Sequence, residues 1–207
     1  MNNKEIKELS ELSHKEWNKI QSYFCKSDVR QINKKEYEKD LIDIKEILDR
    51  EKITFWLVFG TLLGAVREND FLDWDDNINI AVYEEDLLPK LETLKEKFIS
   101  CGFVFRKMVK ERGTKLNLYR HKHKSGIEGL FLNPLYYKNK YRFSNKFKHP
   151  RKYFEKYGII KFKGEIFRVP TPVHEYLSFL YKDWKTPIKL KDLKDYQKWR
   201  NKKNYKW

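Results

Sequence analysis

Residues 53–82 read ITFWLVFGTLLGAVRENDFLDWDDNINIAV, and this stretch decides the fold. The apolar run 53–59 is rich in β-branched and aromatic residues, which predicts a buried strand. Gly60-Thr61 is expected to form a turn that leads into a short helix over 62–67. The alternation of polar and apolar residues over 77–80 then predicts a second strand that is buried on one face.

The turn and the second strand carry the residues that suggest chemistry. A strand that ends in small residues allows backbone N–H groups to approach a phosphate closely, which favours Gly60 and Thr61 as phosphate-binding residues. Thr61 has the alternative role of capping the following helix. Arg67 either contacts a donor phosphate or pairs with a nearby acid. Together these positions predict a phosphoryl- or nucleotidyl-transfer site.

An acidic cluster lies between the predicted helix and the second strand. Asp75 and Asp76 are interpreted either as metal ligands and orienting groups or as members of an exposed acidic turn. Alternation along an extended segment cannot place both on the side that faces the site. Asn77 and Asn79, by contrast, are expected to share one face of the strand, where they would lie beside a common ligand.

The motifs G60-TLLGAV-R67, F71-LDWD-D76 and N77-I-N79-I resemble those of the LicD/fukutin family. The resemblance implies an α+β fold with a nucleotidyltransferase-like mixed sheet flanked by helices. It also implies a transferase that moves phosphorylcholine or a phospho-sugar from a CDP-type nucleotide donor to a cell-surface glycan, with Mg²⁺ or Mn²⁺ as cofactor. The expected metal-facing residues are Asn77, Asn79 and Asp75.

The sequence departs from the family pattern where the metal is expected. The family's two metal-binding acids fall on Asn77 and Asn79, and asparagine offers an oxygen ligand without charge. A further family carboxylate falls on Gly129, while Glu128 stands one residue early and replaces it only if the strand contains a bulge. Otherwise Glu128 is an exposed strand-end residue. A natural pseudoenzyme, a metal site shifted to Asp75 or Asp76, and an engineered inactivation all remain open.

Composition limits the other classes of function. The formal net charge of +15 indicates either an anionic partner or a lysine-rich composition without a specific partner. Cys25 and Cys101 lie too far apart to form a metal-spaced or redox pair. No signal peptide or membrane-spanning stretch is evident. The expectation is a cytoplasmic protein that contacts an acidic membrane surface peripherally if its glycan substrate is membrane-linked.

The remaining sequence predicts an N-terminal helical extension over 1–35, a LicD-like domain over 36–187 and a basic C-terminal helix over 188–207. Inside the domain, further strands, a hairpin and a helix follow from apolar periodicity and from turn residues. The strands are expected at 103–109, 114–119 and 127–132, the hairpin at 162–169 with its turn at Lys163-Gly164, and the helix at 173–181.

Residues 136–157 are basic and aromatic, and the family resemblance makes them a loop beside the active site. Interleaved cations and aromatic rings also suit binding of single-stranded nucleic acid, although no RNA-binding signature supports it. A lysine-rich surface loop over packed aromatic rings is the simplest interpretation. Two alternatives to a transferase follow: a catalytically degenerate partner subunit that binds nucleotide or glycan, and a basic nucleic-acid-binding module.

Overall fold

The chain forms a mixed sheet with helices on both faces in a computed structural model. The backbone is described for residues 1–24, 33–73, 75, 77–110, 113–123, 126–144 and 147–187, and the side chains for the same residues except 20–24, 108–110, 113, 121–123 and 126–128. The helices are α1 Asn3–Glu11, α2 His14–Phe24, α3 Lys34–Arg50, α4 Phe59–Arg67, α5 Glu84–Leu87, α6 Leu91–Ser100, α7 Lys152–Glu155 and α8 Val173–Tyr181, with a 3₁₀ turn at Leu88–Lys90.

The strands are β1 Phe55–Leu57, β2 Asn77–Tyr83, β3 Val104–Lys110, β4 Gly113–His123, β5 Gly126–Lys138, β6 Tyr141–Ser144, β7 Phe147–Pro150, β8 Tyr157–Phe162 and β9 Glu165–Pro170. The main sheet has the order β1-β2-β5-β4-β3. Strands β2 and β5 are parallel, whereas β1 with β2, β5 with β4, and β4 with β3 are antiparallel. Strand β6 continues from the far end of β5 and pairs with β7, while β8 and β9 form a separate hairpin.

One face of the sheet is apolar and the other carries most of its polar side chains. Leu116 and Leu118 of β4, like their neighbours on β2 and β5, are fully buried on the apolar face; α6 contacts β3 of this sheet, and α3 contacts α6. Arg120 locks α3 to this face, because its guanidinium bonds the carboxylates of Asp40 and Asp43 at 2.9 and 2.6 Å. Helix α3, which directly precedes β1, is thus fixed by both apolar packing and ion pairs.

Helices α1 and α2 cover part of the opposite face. The Trp17 side chain is only 2% exposed, and its ring centroid lies 5.0 Å from that of Tyr119 on β4. Arg106 of β3 donates to the carbonyl oxygens of Leu9, Ser10 and Leu12 at 3.2, 3.2 and 2.6 Å, where α1 ends. The N-terminal helices are therefore packed into the same core as the sheet.

Local sequence signals are confirmed where turn chemistry and helical period are strong. Helix α8 has the predicted bounds. The β8–β9 turn lies at Lys163-Gly164, with φ of 52° and 83°, as a two-residue hairpin turn with positive φ at both positions requires. The predicted basic helix over 188–207 lies outside the described residues.

Two local predictions are wrong. The first strand ends at Leu57 rather than at Phe59, and Gly60-Thr61 lies inside the first turn of α4 rather than in a turn before it. The segment 136–157 is not a loop, because it forms the end of β5, the strands β6 and β7, and α7. Its aromatic residues pair across strands, as Tyr136 does with Phe143 at 5.4 Å between ring centroids.

Replacing Trp17 tests whether the N-terminal helices are part of the core. The Trp17→Ala variant should lose about 3–5 kcal/mol of unfolding free energy, because it removes a large buried side chain from between α2 and the sheet. Urea unfolding measures this loss. The exposed control Lys15→Ala should change stability by less than about 0.5 kcal/mol. A Trp17→Ala loss as small as that of the control would contradict the packing.

Candidate functional site

The candidate site lies at the start of β2, on the polar face of the sheet. Asn77 and Asn79 alternate with the buried Ile78 and therefore point to the same face, and both are half-buried. Because β2 and β5 are parallel and in register, Asn77 is opposite Gly129 and Asn79 is opposite Phe131. The prediction that the two asparagines share one face of the strand is confirmed.

Three asparagine amides form a hydrogen-bonded chain across this face. The Nδ2 of Asn79 donates to Oδ1 of Asn77, and the Nδ2 of Asn133 donates to Oδ1 of Asn79 at 3.3 Å. Asn133 also donates to the carbonyl oxygens of Ile80 and Phe131 at 3.1 Å each. The amide oxygens of Asn77 and Asn79 thus already accept N–H groups from neutral neighbours.

Asn133 is a residue of this site that the local sequence pattern does not predict. It lies on β5 with the same parity as Gly129 and Phe131, so it projects onto the polar face. The alternation that singled out Asn77 and Asn79 extends to Asn133 only when β5 is known to continue past Leu132 and to pair in parallel with β2. That pairing is a non-local fact that a local pattern does not contain.

Thr61 connects α4 to β2. Its side chain is 2% exposed, and its Oγ1 accepts a 2.8 Å hydrogen bond from the backbone N–H of Asn79. The carbonyl oxygen of Asn79 accepts from the backbone N–H of Val58 at 3.2 Å. Both backbone groups of Asn79 are thus held by the segment around the start of α4. No side-chain cap bond forms at this helix start, whose N-cap residue is Val58.

Gly60 is required by the packing of Asp75. A Cβ placed on Gly60 would lie 1.7 Å from Oδ2 and 2.6 Å from Cγ of Asp75, so a side chain at position 60 would displace the Asp75 carboxyl group. The Asp75 carboxyl group therefore rests directly on the backbone of α4. The absence of a side chain at position 60 thus has a steric role in the fold, and the role of Gly60 in phosphate approach stays a prediction.

Asp75 is a buried carboxyl group. Its residue is 9% exposed, and its side chain has no hydrogen-bond or ion-pair partner within the described part of the chain. Burial raises the pKa of Asp75 to about 7, because removal from water disfavours the charged form. A group of this kind is half-protonated near neutral pH and gains from any cation placed beside it.

The backbone is strained at the entry to α4. Phe59 has a φ of 53°, a left-handed conformation that is rare for a bulky side chain. Its ring is held by Phe147 and His149 of β7, with centroid distances of 5.0 and 5.6 Å. The basic, aromatic segment thus supports the helix start through packing of β7 against Phe59.

Arg67 makes two contacts at the other end of α4. Its Nε donates to Glu68 Oε1 at 2.7 Å, and its Nη1 donates to the carbonyl oxygen of Trp184 at 3.1 Å. These contacts join α4 to the chain that follows α8. The ion pair with a neighbouring acid, one of the two roles considered for Arg67, is present, and its role toward a donor phosphate stays a prediction.

The remaining predicted site residues are Asp76 and Glu128. Asp76 lies outside the described residues, as does the side chain of Glu128. The backbone of Glu128 pairs with His121 of β4, next to an irregularity between Tyr119 and His121. Gly129, opposite Asn77, leaves no room for a carboxylate: a Cβ there would lie 2.7 Å from both the Leu118 carbonyl oxygen and the Tyr119 ring.

The described side chains at this edge do not by themselves form a ligand set for the predicted divalent cation. In the described residues, no three His, Cys, Asp or Glu side chains come together in a way that would hold a metal ion. At the polar edge of β2 the described groups are neutral amides that bond one another, together with one buried carboxyl group whose pKa is raised. Mg²⁺ and Mn²⁺ are hard cations that favour charged oxygen ligands.

The mixed sheet with its flanking helices defines the class of protein as an α+β domain. The family model described as LicD/FKTN/FKRP, nucleotidyltransferase domain, matches residues 52–172, which is more than half of the chain. The chain therefore belongs to this family, and both the predicted family and the predicted fold class are confirmed. The matched range lies inside the predicted domain of residues 36–187.

The protein RT0683 of Rickettsia typhi is 28% identical over 121 residues, which cover 50% of this chain and 38% of that protein. Ribitol 5-phosphate transferase FKRP of Homo sapiens is 37% identical over 41 residues, which cover 20% of this chain and 8% of FKRP. The chain thus matches well under half the length of these curated relatives.

Two solved structures match this chain at TM-scores just below 0.5. Lincosamide antibiotic adenylyltransferase LnuA, bound to lincomycin, has a TM-score of 0.49 at 12% identity, covering 86% of this chain and 99% of that chain. The antibiotic-resistance factor ANT(2'')-Ia has a TM-score of 0.47 at 14% identity, covering 81% of this chain and 83% of that chain.

No helix in the described ranges is both long enough and apolar enough to cross a bilayer.

Replacing Thr61 tests its role in fixing α4 to β2. The Thr61→Val variant keeps the shape but leaves the Asn79 N–H unpaired in a buried position, so it should lose about 1–3 kcal/mol of unfolding free energy. The control Thr61→Ser keeps the hydroxyl and should lose only about 0.8 kcal/mol for the missing methyl group. Equal losses in the two variants, measured by urea unfolding, would show that the hydrogen bond contributes nothing.

The raised pKa of Asp75 predicts a pH-dependent stability. The folded pKa of about 7 lies above the unfolded value of about 3.9, so the folded state holds the extra proton between these pH values. The contribution of Asp75 to stability therefore falls as pH rises from 4 to 7, by roughly 3–5 kcal/mol in total. The Asp75→Asn variant lacks this loss, and its stability relative to the native chain should increase over that range.

Urea unfolding of both proteins across this pH range measures the difference. The unfolding free energy of the exposed control Asp86→Asn should differ from that of the native chain by the same amount at every pH. If the unfolding free energy of Asp75→Asn also differs from that of the native chain by a constant amount, burial does not raise the pKa of the Asp75 carboxyl group.

Proposed function

We propose that this chain is a donor-binding member of the LicD/FKTN/FKRP family whose metal site no longer supports rapid phosphoryl-group transfer. The family chemistry is transfer of a phosphorylated group from a nucleotide-activated donor to a glycan, and the nucleotide donor is expected to be of the CDP type. The chain acts on that donor by binding it, alone or as the partner of an active enzyme.

The amide chain of Asn77, Asn79 and Asn133 carries this proposal. Two carboxylates at positions 77 and 79 would repel each other and would require a cation between them. The amides instead satisfy one another, so the fold has no need of a metal at this place. Position 129, where the family pattern has a third carboxylate, is a glycine, and a side chain there would meet the Leu118 carbonyl oxygen and the Tyr119 ring.

Donor binding is supported by groups that remain on the polar face. Asn77 and Asn79 are half-buried rather than sealed, and neutral amide N–H groups are suitable donors to phosphate oxygens. Lys115 of β4 lies on the same face, with its Nζ 3.8 Å from the centroid of the Phe131 ring. The net charge of +15 attracts an anionic ligand to the chain as a whole.

A second candidate function, slow metal-assisted transfer, is favoured by Asp75 alone. A buried carboxyl group without a partner is what a cation at a shifted site would satisfy. One such group supplies a single negative charge, so a site of this kind would bind Mg²⁺ or Mn²⁺ weakly. Binding measurements distinguish the two functions, since the affinity for the metal and the affinity for the donor can be measured separately.

The Asn77→Asp/Asn79→Asp variant should bind Mn²⁺ on the order of 100-fold more tightly than the native chain, because ligand charge governs the affinity for hard cations. Isothermal titration calorimetry with Mn²⁺ measures this. The control Asn18→Asp/Asn139→Asp adds the same two charges at exposed positions and should bind Mn²⁺ like the native chain. If the double variant gains no affinity, these positions do not face a metal site.

The native chain should bind cytidine diphosphate, used as the probe, equally well in EDTA and in Mg²⁺. Absence of binding would overturn the donor-binding part of the proposal. Affinity that rises more than about tenfold with Mg²⁺, or release of cytidine monophosphate from CDP-choline in the presence of Mg²⁺, would overturn the loss of metal-assisted transfer in favour of the second candidate.

A further inference from the structure

The β8–β9 hairpin presents an apolar face to solvent. Tyr157, Ile159 and Ile166 are 55%, 64% and 53% exposed, whereas Phe162 and Phe167 on the inner face are each 1% exposed. Scattered exposed apolar residues are ordinary, but these three lie together on one side of one hairpin. The inner face accounts for the packing of the hairpin on the core, and the outer face needs a separate explanation.

The register of the hairpin places two cations among these apolar residues. Ile159 is opposite Arg168, and Lys161 is opposite Ile166, so all four side chains lie on the outer face. The guanidinium of Arg168 lies 5.2 Å from the centroid of the Tyr157 ring. Neither Lys161 nor Arg168 has an acidic partner within the described ranges.

The acidic residues near the hairpin are engaged with cations of their own. Glu165, at the start of β9, pairs with Lys45 of α3 at 3.4 Å, and Glu155, just before β8, pairs with Arg151 at 2.8 Å. The outer face therefore combines exposed aliphatic side chains with uncompensated positive charge. A partner that matches both properties offers an apolar interior beneath an anionic surface.

We propose that the outer face of the β8–β9 hairpin docks the chain onto an anionic lipid bilayer. Ile159 and Ile166 enter the boundary between headgroups and acyl chains, Tyr157 lies at the headgroup level, and Lys161 and Arg168 contact lipid phosphates. A protein partner would need a surface that is both apolar and acidic, whereas an anionic bilayer presents these two properties everywhere.

The overall charge acts in the same direction. A chain of net charge +15 is drawn to an anionic surface before any side chain inserts, and the hairpin then supplies the apolar contact that fixes its orientation. The hairpin strands are hydrogen-bonded to each other along their full register, so the side chains can insert without exposing unpaired strand groups within the pair. This surface is independent of the asparagine site and of the function proposed for it.

Sedimentation of the full chain with vesicles tests the proposal. The chain should pellet with vesicles of equal parts phosphatidylcholine and phosphatidylglycerol, and not with vesicles of phosphatidylcholine alone. Binding should weaken as salt is raised, because the charge contribution is screened. Neither metal nor nucleotide is present, so the result does not depend on the asparagine site.

Two hairpin variants separate the apolar and charged contributions. Lys161→Gln/Arg168→Gln should weaken partitioning about thirtyfold, which corresponds to about fivefold for each cation near the surface. Ile159→Ser/Ile166→Ser should weaken it at least about tenfold through lost insertion. The matched controls are Lys7→Gln/Lys15→Gln for charge and Leu88→Ser for an exposed apolar residue, and each should weaken partitioning less than about threefold per residue changed.

Three results would overturn the proposal. The first is absence of pelleting of the native chain with the anionic vesicles at low salt. The second is pelleting that the hairpin variants weaken no more than their controls, which would place the lipid contact elsewhere on the chain. The third is a native dimer, seen by sedimentation velocity without lipid, that Ile159→Ser/Ile166→Ser converts to a monomer, since the face would then belong to a second copy.

Discussion

The site depends on the hydrogen bond between the hydroxyl oxygen of Thr61 and the backbone N–H of Asn79. This bond is buried, and the Asn79 carbonyl is held in turn by Val58, so the entry to α4 cannot move relative to β2 without leaving polar groups unpaired. The bond fixes the position of the first turn of α4 relative to β2. Gly60, one residue earlier, is thereby placed against the Asp75 carboxyl group, which a side chain at position 60 would displace.

The asparagines and Asp75 represent opposite solutions to the same electrostatic problem. Carboxylates held together at low dielectric require a cation or a proton, whereas neutral amides can donate to and accept from one another. At positions 77 and 79 the side chains are neutral amides, so no charge repulsion arises. At position 75 the carboxyl group stays and takes up a proton near neutral pH instead. In both places the described side chains are electrostatically consistent without a divalent ion.

Local chemistry predicted the elements whose cause is local. The Lys163-Gly164 turn and the bounds of α8 follow from residues within a few positions. The start of α4 does not, because Phe59 adopts a positive φ that is stabilised by rings on β7, more than eighty residues later. The same non-local packing turns a basic, aromatic segment that resembles a loop into strands.

The residues of the site could be predicted from the sequence only in part, because some of them come together through pairing of distant strands. Asn77 and Asn79 share a strand, so alternation was enough to place them on one face. Asn133 joins them through the parallel pairing of β2 with β5, which sequence spacing does not encode. That same pairing sets Gly129, rather than Glu128, opposite Asn77. Membership of a family establishes the scaffold, whereas the charge at these few positions decides whether a metal is held, and the proposed function depends on that charge.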